Sequence, residues 1–407
     1  MKQHLLHTPE GVRDIYQGEC ERKLYLEDKL YNILKTYGYR PVQTPSFEYF
    51  DIFGKEIGTT KSKDLYKFFD REGNTLVLRP DITPSIARVA ANYFMEETMP
   101  VRFCYKGNTF INTGSLQGRL KETTQLGAEL IGDDTVDADA EILSMVVECL
   151  LHAGLREFQL SVGHVGILQG MMEAAGFHEE EEEEAVRDLI KNNNFFGLES
   201  FLENRHLDDG LKRLFSLLGR LYQSAEEFQA AKAAAEKYPK IHAAMEHLER
   251  LQSLALLYGI DKYISFELGV ISSYQYYSGI IFHGYTYGSG EPIVKGGRYD
   301  RLLKHFGKDS PAIGFVIVTD QMMAALSRQH IEMPADQTVQ LVIYDEAHRE
   351  DAVVYARKQR AAGCSVELMV RTDGRSRKAY EAYAKRRQIS RVQFLDGQKV
   401  TEDHSEK

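Results

Sequence analysis

From residue 178 to about residue 258 the chain drops its strand pattern and carries its apolar residues at helical spacing. Leu211, Leu214, Phe215, Leu218, Leu221 and Tyr222 share one helical face, and Met245, Leu248, Leu251, Leu254 and Tyr258 share another. Strand-like segments lie on both sides of this stretch. Before it come NTLVLRP, VRFCYKGNTF, TTQLGAELI and REFQLSVGHVGIL, and after it YISFELGVI, SGIIFHGYTYG and EPIVKGGRYD. The reading is one strand-bearing domain in two parts, 1–177 and 259–330, interrupted by a helical insertion at 178–258. The insertion opens on six glutamates, Glu179 to Glu184. They read as an acidic docking tail or as a solvated helix start, where carboxylates favour the positive end of the dipole; the second reading is favoured.

The flanking parts mix both periods. Leu26, Leu30, Ile33, Leu34 and Tyr37 fall on one helical face and Gly38 is a natural stop. Thr75 to Leu78 reads as a strand, followed by a turn and a helix with Pro84 in its first turn. Ala138 to Ala153 reads as a helix with a stripe of Ile142, Leu143, Val146, Val147, Leu150 and Leu151. REFQLSVGHVGIL reads as a strand ending near a Gly-x-x-Gly turn, and Thr319 to Leu326 as a closing helix. Beyond Pro334 a β-α-β-α-β alternation over 337–397 predicts a small α/β domain with parallel strands.

Composition narrows the classes. No run approaches the roughly 20 apolar residues that span a bilayer, and MKQHLLHTPEGVRD has no signal-peptide core, so a cytosolic protein is expected. The net charge of −10 argues against a nucleic-acid scaffold. Cys20, Cys104, Cys149 and Cys364 are too scattered for a zinc or disulfide framework. His4 and His7 have a metal-like spacing without a third ligand, so no metal and no cofactor is expected. Phosphate-loop and dinucleotide-binding glycine motifs are absent.

What remains is a set of polar residues at strand ends: Asp81 and Thr83 in LRPDIT, Gln125 and Glu129 in TTQLGAEL, Tyr276 and Tyr277 in SYQYYSG. Carboxylates without a cation nearby in sequence suit an ammonium or a cationic ring. Glu129 can accept an imidazole N–H and Asp81 an α-amino group, with the tyrosines as walls. Asp81, just before Pro84, can equally cap a helix.

At these residues the sequence resembles the class II aminoacyl-tRNA synthetases of the histidyl type, over about residues 5–330. The matching stretches are TPEGVRD, YGYRPVQTPSFE, LRPDITPSIAR, TTQLGAELIG, GGRYD and PAIGF, in the family's order and spacing. The resemblance implies an α+β fold: a six- or seven-stranded antiparallel sheet flanked by helices, dimeric, with a helical insertion and a small C-terminal α/β domain. It also implies that Asp81, Thr83, Gln125, Glu129, Tyr276 and Tyr277 form a histidine pocket.

The departures from the family concern charge. Activating histidine builds negative charge on the α-phosphate of ATP, and the family meets it with three arginines. At the matching positions this sequence carries Ile111, Ser272 and Gln321. Loss of one transition-state donor costs on the order of 3–4 kcal/mol. Lys106, Arg119 and Lys121 are the cations nearest the hairpin that would have to compensate. The C-terminal domain resembles only the first part of the family's anticodon-binding domain before a charged tail, VTEDHSEK, so tRNA is not expected as a partner. A kept pocket with lost phosphate chemistry resembles one branch of the family, the regulatory subunits of ATP phosphoribosyltransferase. That branch implies no catalysis of its own, a short-form ATP phosphoribosyltransferase catalytic subunit as partner, histidine as effector, and a homodimer within a hetero-oligomer.

Overall fold

The structure is a computed structural model that describes residues 6–54, 60–114, 119–203, 205, 207–218, 221–222, 225–270, 276–334, 339–372, 374–387 and 389–396. The chain divides into two compact units, Met1–Met333 and Pro334–Lys407.

In the larger unit, α1 (Gln17–Thr36) leads into β1 (Arg40–Pro41), β2 (Phe47–Tyr49), β3 (Lys67–Phe69) and β4 (Thr75–Leu78). Next come α2 (Thr83–Tyr93), β5 (Val101–Phe110), β6 (Glu122–Ile131), α3 (Val136–His152), β7 (Phe158–His164) and α4 (Val165–Ala174). A helical stretch holds α5 (Glu180–Lys191), α6 (Phe195–Leu202), α7 (Asp209–Ser216), the two-residue β8 (Leu221–Tyr222), α8 (Ala225–Ala235) and α9 (Pro239–Tyr258). The strands resume with β9 (Ile264–Glu267), β10 (Ile280–Thr286), β11 (Val294–Arg298) and β12 (Ala312–Val318), followed by α10 (Thr319–Arg328).

Nine of these strands form one sheet in the order β1-β5-β6-β12-β11-β10-β7-β9-β8. Its central run from β5 to β7 is antiparallel, while β1 on β5 and β9 on β7 are parallel. This is the class II synthetase-like α+β fold, with short edge strands beyond the six or seven expected. Strands on both sides of the helical stretch meet in it, because β7 pairs with β10 and β6 with β12.

Side-chain alternation decides what each face of the sheet does. On one face Leu126, Ala128 and Leu130 of β6 join Leu160 and Val162 of β7 in a large core. Leu26, Leu30, Ile33 and Leu34 of α1 close on that core, and so do Ile142, Leu143, Val146, Val147 and Leu150 of α3. Gly38 ends the α1 segment at φ +82°, where a side chain would be strained. On the opposite face a smaller cluster gathers Ile82, Ile86, Ala87 and Ala90 of the α2 segment with Phe103, Tyr105, Ile131 and Tyr299. That cluster covers only part of the face and leaves a cavity beside it.

One strand ends at the expected turn but a helix follows it directly, and a second segment departs from expectation. The REFQLSVGHVGIL strand stops at His164, and Val165 begins α4. His164 Nδ1 accepts the Gly166 N–H at 3.1 Å, capping the helix, and Ile167, Leu168, Met171 and Met172 are buried at helical spacing. Leu221 and Tyr222 leave the helical face to pair with Glu267 and Phe266 at the sheet edge. Leu211, Leu214, Phe215 and Leu218 stay buried as a helical face requires. Glu179 stands at the N-cap of α5 and the following glutamates form its first turns, with Glu182 paired to Arg205 and Glu183 to Arg187.

The smaller unit holds β13 (Gln340–Tyr344), α11 (Arg349–Ala361), β14 (Val366–Val370), α12 (Arg377–Arg386) and β15 (Arg391–Leu395). The three strands are parallel in the order β14-β13-β15. Leu341 and Ile343 pack on Tyr380 and Ala384 of α12, whereas Val342 packs on Ala352 and Ala356 of α11. Cys20, Cys104, Cys149 and Cys364 are free thiols. Among the described residues no helix is long and apolar enough to cross a membrane, and no group of three metal-ligating side chains forms. His4 lies outside the described residues.

Candidate functional site

The uncovered part of the sheet face holds a cavity of about 190 Å³. Asp81, Thr83, Gln125, Glu129, Tyr276 and Tyr277 all line it. Sequence separations of up to 196 residues are closed by strand pairing. The register Gly314↔Glu129 and Val318↔Gln125 sets β12 beside β6, and Gly297↔Gly314 sets β11 beside β12.

Asp81 is delivered by the end of β4. Arg79, buried, fixes that end: its Nε donates to Asn108 O at 2.8 Å and a terminal nitrogen to Thr44 O at 2.9 Å and Pro45 O at 3.0 Å. Asp81 then serves both readings. Oδ1 accepts the Ile82 and Thr83 N–H groups at 2.7 and 3.3 Å as α2 begins, while Oδ2 accepts from Tyr276 Oη at 3.5 Å. Burial pushes the Asp81 carboxyl up, against the N–H groups that hold it down.

Glu129 is the centre of the site and is 1% exposed. Its Oε1 accepts from Thr83 Oγ1 at 2.8 Å and Tyr105 Oη at 3.0 Å; its Oε2 accepts from Tyr299 Oη at 2.6 Å. Burial raises this carboxyl to about 8, although the hydroxyls of Tyr299, Thr83 and Tyr105 each favour the charged form. A carboxyl so placed can accept a ring N–H, and an approaching cation would draw off its proton. Gln125 is 8% exposed and its Oε1 has no hydrogen-bond partner among the described residues. A buried acceptor left unpaired is costly.

The floor is glycine. A Cβ built on Gly314 would stand 1.5 Å from Glu129 Oε2 and 2.7 Å from Ala128 O, and one on Gly297 would stand 2.8 Å from the ring of Tyr277. The walls are aromatic, with the rings of Tyr276 and Tyr277 4.8 Å apart and Tyr276 edge-on to Tyr299 at 5.8 Å.

Two of the three positions matched to catalytic arginines, Ile111 and Gln321, line the same cavity; Ser272 lies outside the described residues. The acidic residue before Gln321 is engaged elsewhere: Asp320 accepts from Lys23 Nζ at 2.8 Å and from the Thr124 N–H at 2.7 Å. Of the nearby cations, Lys106 turns away to Glu27 and Asp28, at 3.4 and 3.3 Å. Arg119 and Lys121 do line the cavity, Arg119 paired with Glu291 at 2.7 Å.

Sequence reasoning missed Tyr105, Tyr299 and Lys295. The first two carry the hydroxyls that hold Glu129, and Lys295 brings a cation to a site read as having none. Tyr299 stood in GGRYD, a stretch used for the resemblance and not for the site. Tyr105 is one pleat from Phe103 opposite Glu129, a register no local pattern displays. Beneath the floor, Arg298 of β11 donates to Asp139 of α3, which is fully buried, and the other Asp139 oxygen lies 2.6 Å from His247 Nε2 of α9.

With this geometry, the comparisons with known proteins are consistent. The sequence pattern of the family described as histidyl-tRNA synthetase matches residues 11–322. A histidyl-tRNA synthetase from Nostoc shares the fold with a TM-score of 0.77 at 18% identity, over 94% of this chain and 90% of its own. An ATP phosphoribosyltransferase regulatory subunit of Acetivibrio thermocellus is 40% identical over 90% of this chain and 88% of its own length. A crystal structure from Bacillus halodurans, described as an ATP phosphoribosyltransferase regulatory subunit/histidyl-tRNA synthetase, superposes with a TM-score of 0.84 at 28% identity, covering 97% of this chain and 99% of that one. The chain belongs to the histidyl-tRNA synthetase family and, within it, to the branch of ATP phosphoribosyltransferase regulatory subunits.

Proposed function

We propose that this chain is a non-catalytic subunit required for the activity of a short-form ATP phosphoribosyltransferase catalytic subunit, the first step of histidine biosynthesis, and for its inhibition by histidine. The observation that carries the reading is a cavity that keeps two buried carboxyls, an unpaired amide oxygen and aromatic walls, with Ile111 and Gln321 where phosphate chemistry needs cations. In this reading the imidazole of histidine lies against Glu129 and its α-ammonium against Asp81, with Tyr276 and Tyr277 as walls and Thr83 and Gln125 completing the pocket. Histidine must bind one state of the complex better than the other, and the coupling is reciprocal. A homodimer within a hetero-oligomer is the assembly this branch implies.

The test is reconstitution: purified catalytic subunit assayed with and without this chain while histidine is titrated. Activity that depends on the chain and falls with histidine supports the reading; equal activity without the chain removes it. Glu129→Ala and Tyr277→Phe are expected to weaken inhibition at least ten-fold while leaving co-purification of the two subunits intact. Full histidine sensitivity in both variants would move the effector site elsewhere.

A second reading, an active histidyl-tRNA synthetase, draws support from the family pattern and from Arg119 and Lys121 at the cavity. ATP–pyrophosphate exchange with histidine decides between them, since appreciable turnover by this chain alone belongs only to the second.

A further inference from the structure

Lys295 is a feature of the cavity that neither the lost arginines nor the kept carboxyls explain. It stands on β11 opposite Val316 of β12, which itself pairs with Gly127 of β6. Glu129, Gly314 and Gly297 form the next row of the same sheet face. Two residues along a strand are roughly 7 Å, and two strand spacings are roughly 10 Å, so Lys295 and Glu129 bracket the floor from opposite corners. The side chain is half-buried and lines the cavity, and among the described residues its ammonium has no hydrogen bond or ion pair.

Its surroundings give it no settled counter-ion. Glu291, a few residues before it in the chain, favours its charge, but Glu291 is held by Arg119 at 2.7 Å. Burial pushes the Lys295 ammonium down; Glu291 opposes that shift, Arg119 adds to it, and Asp81 weakly opposes it. A half-buried cation without a partner is an expense that a bound anion would remove. The Oε1 of Gln125, 8% exposed in the same cavity, likewise has no hydrogen-bond partner among the described residues.

We infer that Lys295 is the carboxylate anchor of the cavity and makes it selective for a free α-amino acid over the corresponding amine or amino alcohol. The inference rests on the proposed histidine pocket and adds its third contact: carboxylate to Lys295, ammonium to Asp81, ring to Glu129. Lys121 also lines the cavity without a partner among the described residues, but it stands in the hairpin loop rather than on the floor strands. It is therefore the built-in control.

Calorimetric titration of the full chain with L-histidine and L-histidinol, which differ only at the carboxylate, tests this. The wild type is expected to prefer histidine at least ten-fold. Lys295→Met should lower histidine affinity at least ten-fold and leave histidinol within two-fold, Lys295→Arg should retain the preference, and Lys121→Met should not alter it. Because the methionine variant no longer buries an unpaired charge, its ligand-free melting temperature should equal or exceed that of the wild type. A preference that survives Lys295→Met, or is lost in Lys121→Met instead, overturns the anchor alone. A wild type that binds histidine and histidinol within three-fold of each other does so without any variant. A wild type that binds neither removes the histidine pocket and the anchor together.

Discussion

Strand β6 presents two unlike faces. Leu126, Ala128 and Leu130 point into a dry core closed by α1 and α3, whereas Gln125 and Glu129 point into the cavity. Neighbouring residues 3.3–3.4 Å apart thus obey different rules. The first set stabilises by removing apolar surface from water; the second keeps polar groups that cost stability until something binds. The contrast teaches that this sheet is held by one side and used by the other.

The largest expected effect falls on the dry side. Leu130→Ala should lower stability by about 4 kcal/mol, read as a shift of the urea-unfolding midpoint, because helices packed from above cannot collapse into the space. A loss under about 1 kcal/mol would mean that the face is not the core it resembles.

Next comes the carboxyl of the used side. With Glu129 raised from 4.5 to about 8, the folded chain holds a proton that the unfolded chain releases. Stability must therefore fall as pH rises through that window and level off above it, by about 3 kcal/mol between pH 4.5 and 7. Glu129→Gln should flatten this limb. An unchanged pH profile would show that the three hydroxyls keep Glu129 ionised.

The dry side carries the opposite limb. His164 is lowered from 6.5 to about 3 by burial, with smaller contributions from His247 and Arg298. Its unfolded form takes up a proton first, so stability is complete above pH 6.5 and falls as the solution is acidified, by about 2 kcal/mol between pH 6.5 and 5. His164→Asn, which can still cap α4, should remove that loss. Equal acid sensitivity in the variant would assign it to other groups.

The smallest effect sharpens the contrast most. Gln125→Leu removes an unsatisfied buried acceptor and should raise ligand-free stability by about 1 kcal/mol while abolishing histidine binding. A stability loss instead would place Gln125 with the structural residues.

What the sequence disclosed follows the range of the physics involved. The α1 and α3 stripes, the Thr75–Leu78 strand and the parallel C-terminal unit rest on local periodicity, which a single chain displays. The six candidate residues were singled out because carboxylates and tyrosines at strand ends matched a known pattern, and all six line one cavity. Tyr105, Tyr299 and Lys295 were missed because their place depends on the order β5-β6-β12-β11, and pairing between strands so distant in sequence leaves no local mark. The end of the REFQLSVGHVGIL strand was legible in its Gly-x-x-Gly turn, but α4 directly after it was not, because the capping by His164 is visible only when the Gly166 N–H is in view. Leu221 and Tyr222 were read as helix because their partners lie beyond α9.

The bare floor at Gly314 bears on how such a site can diverge. Both a carboxylate and a backbone oxygen occupy the space a methyl group would need, so any substitution there must displace one of them. Substitutions at positions such as Gln125, Tyr277 or Lys295 can alter the recess without meeting that obstacle.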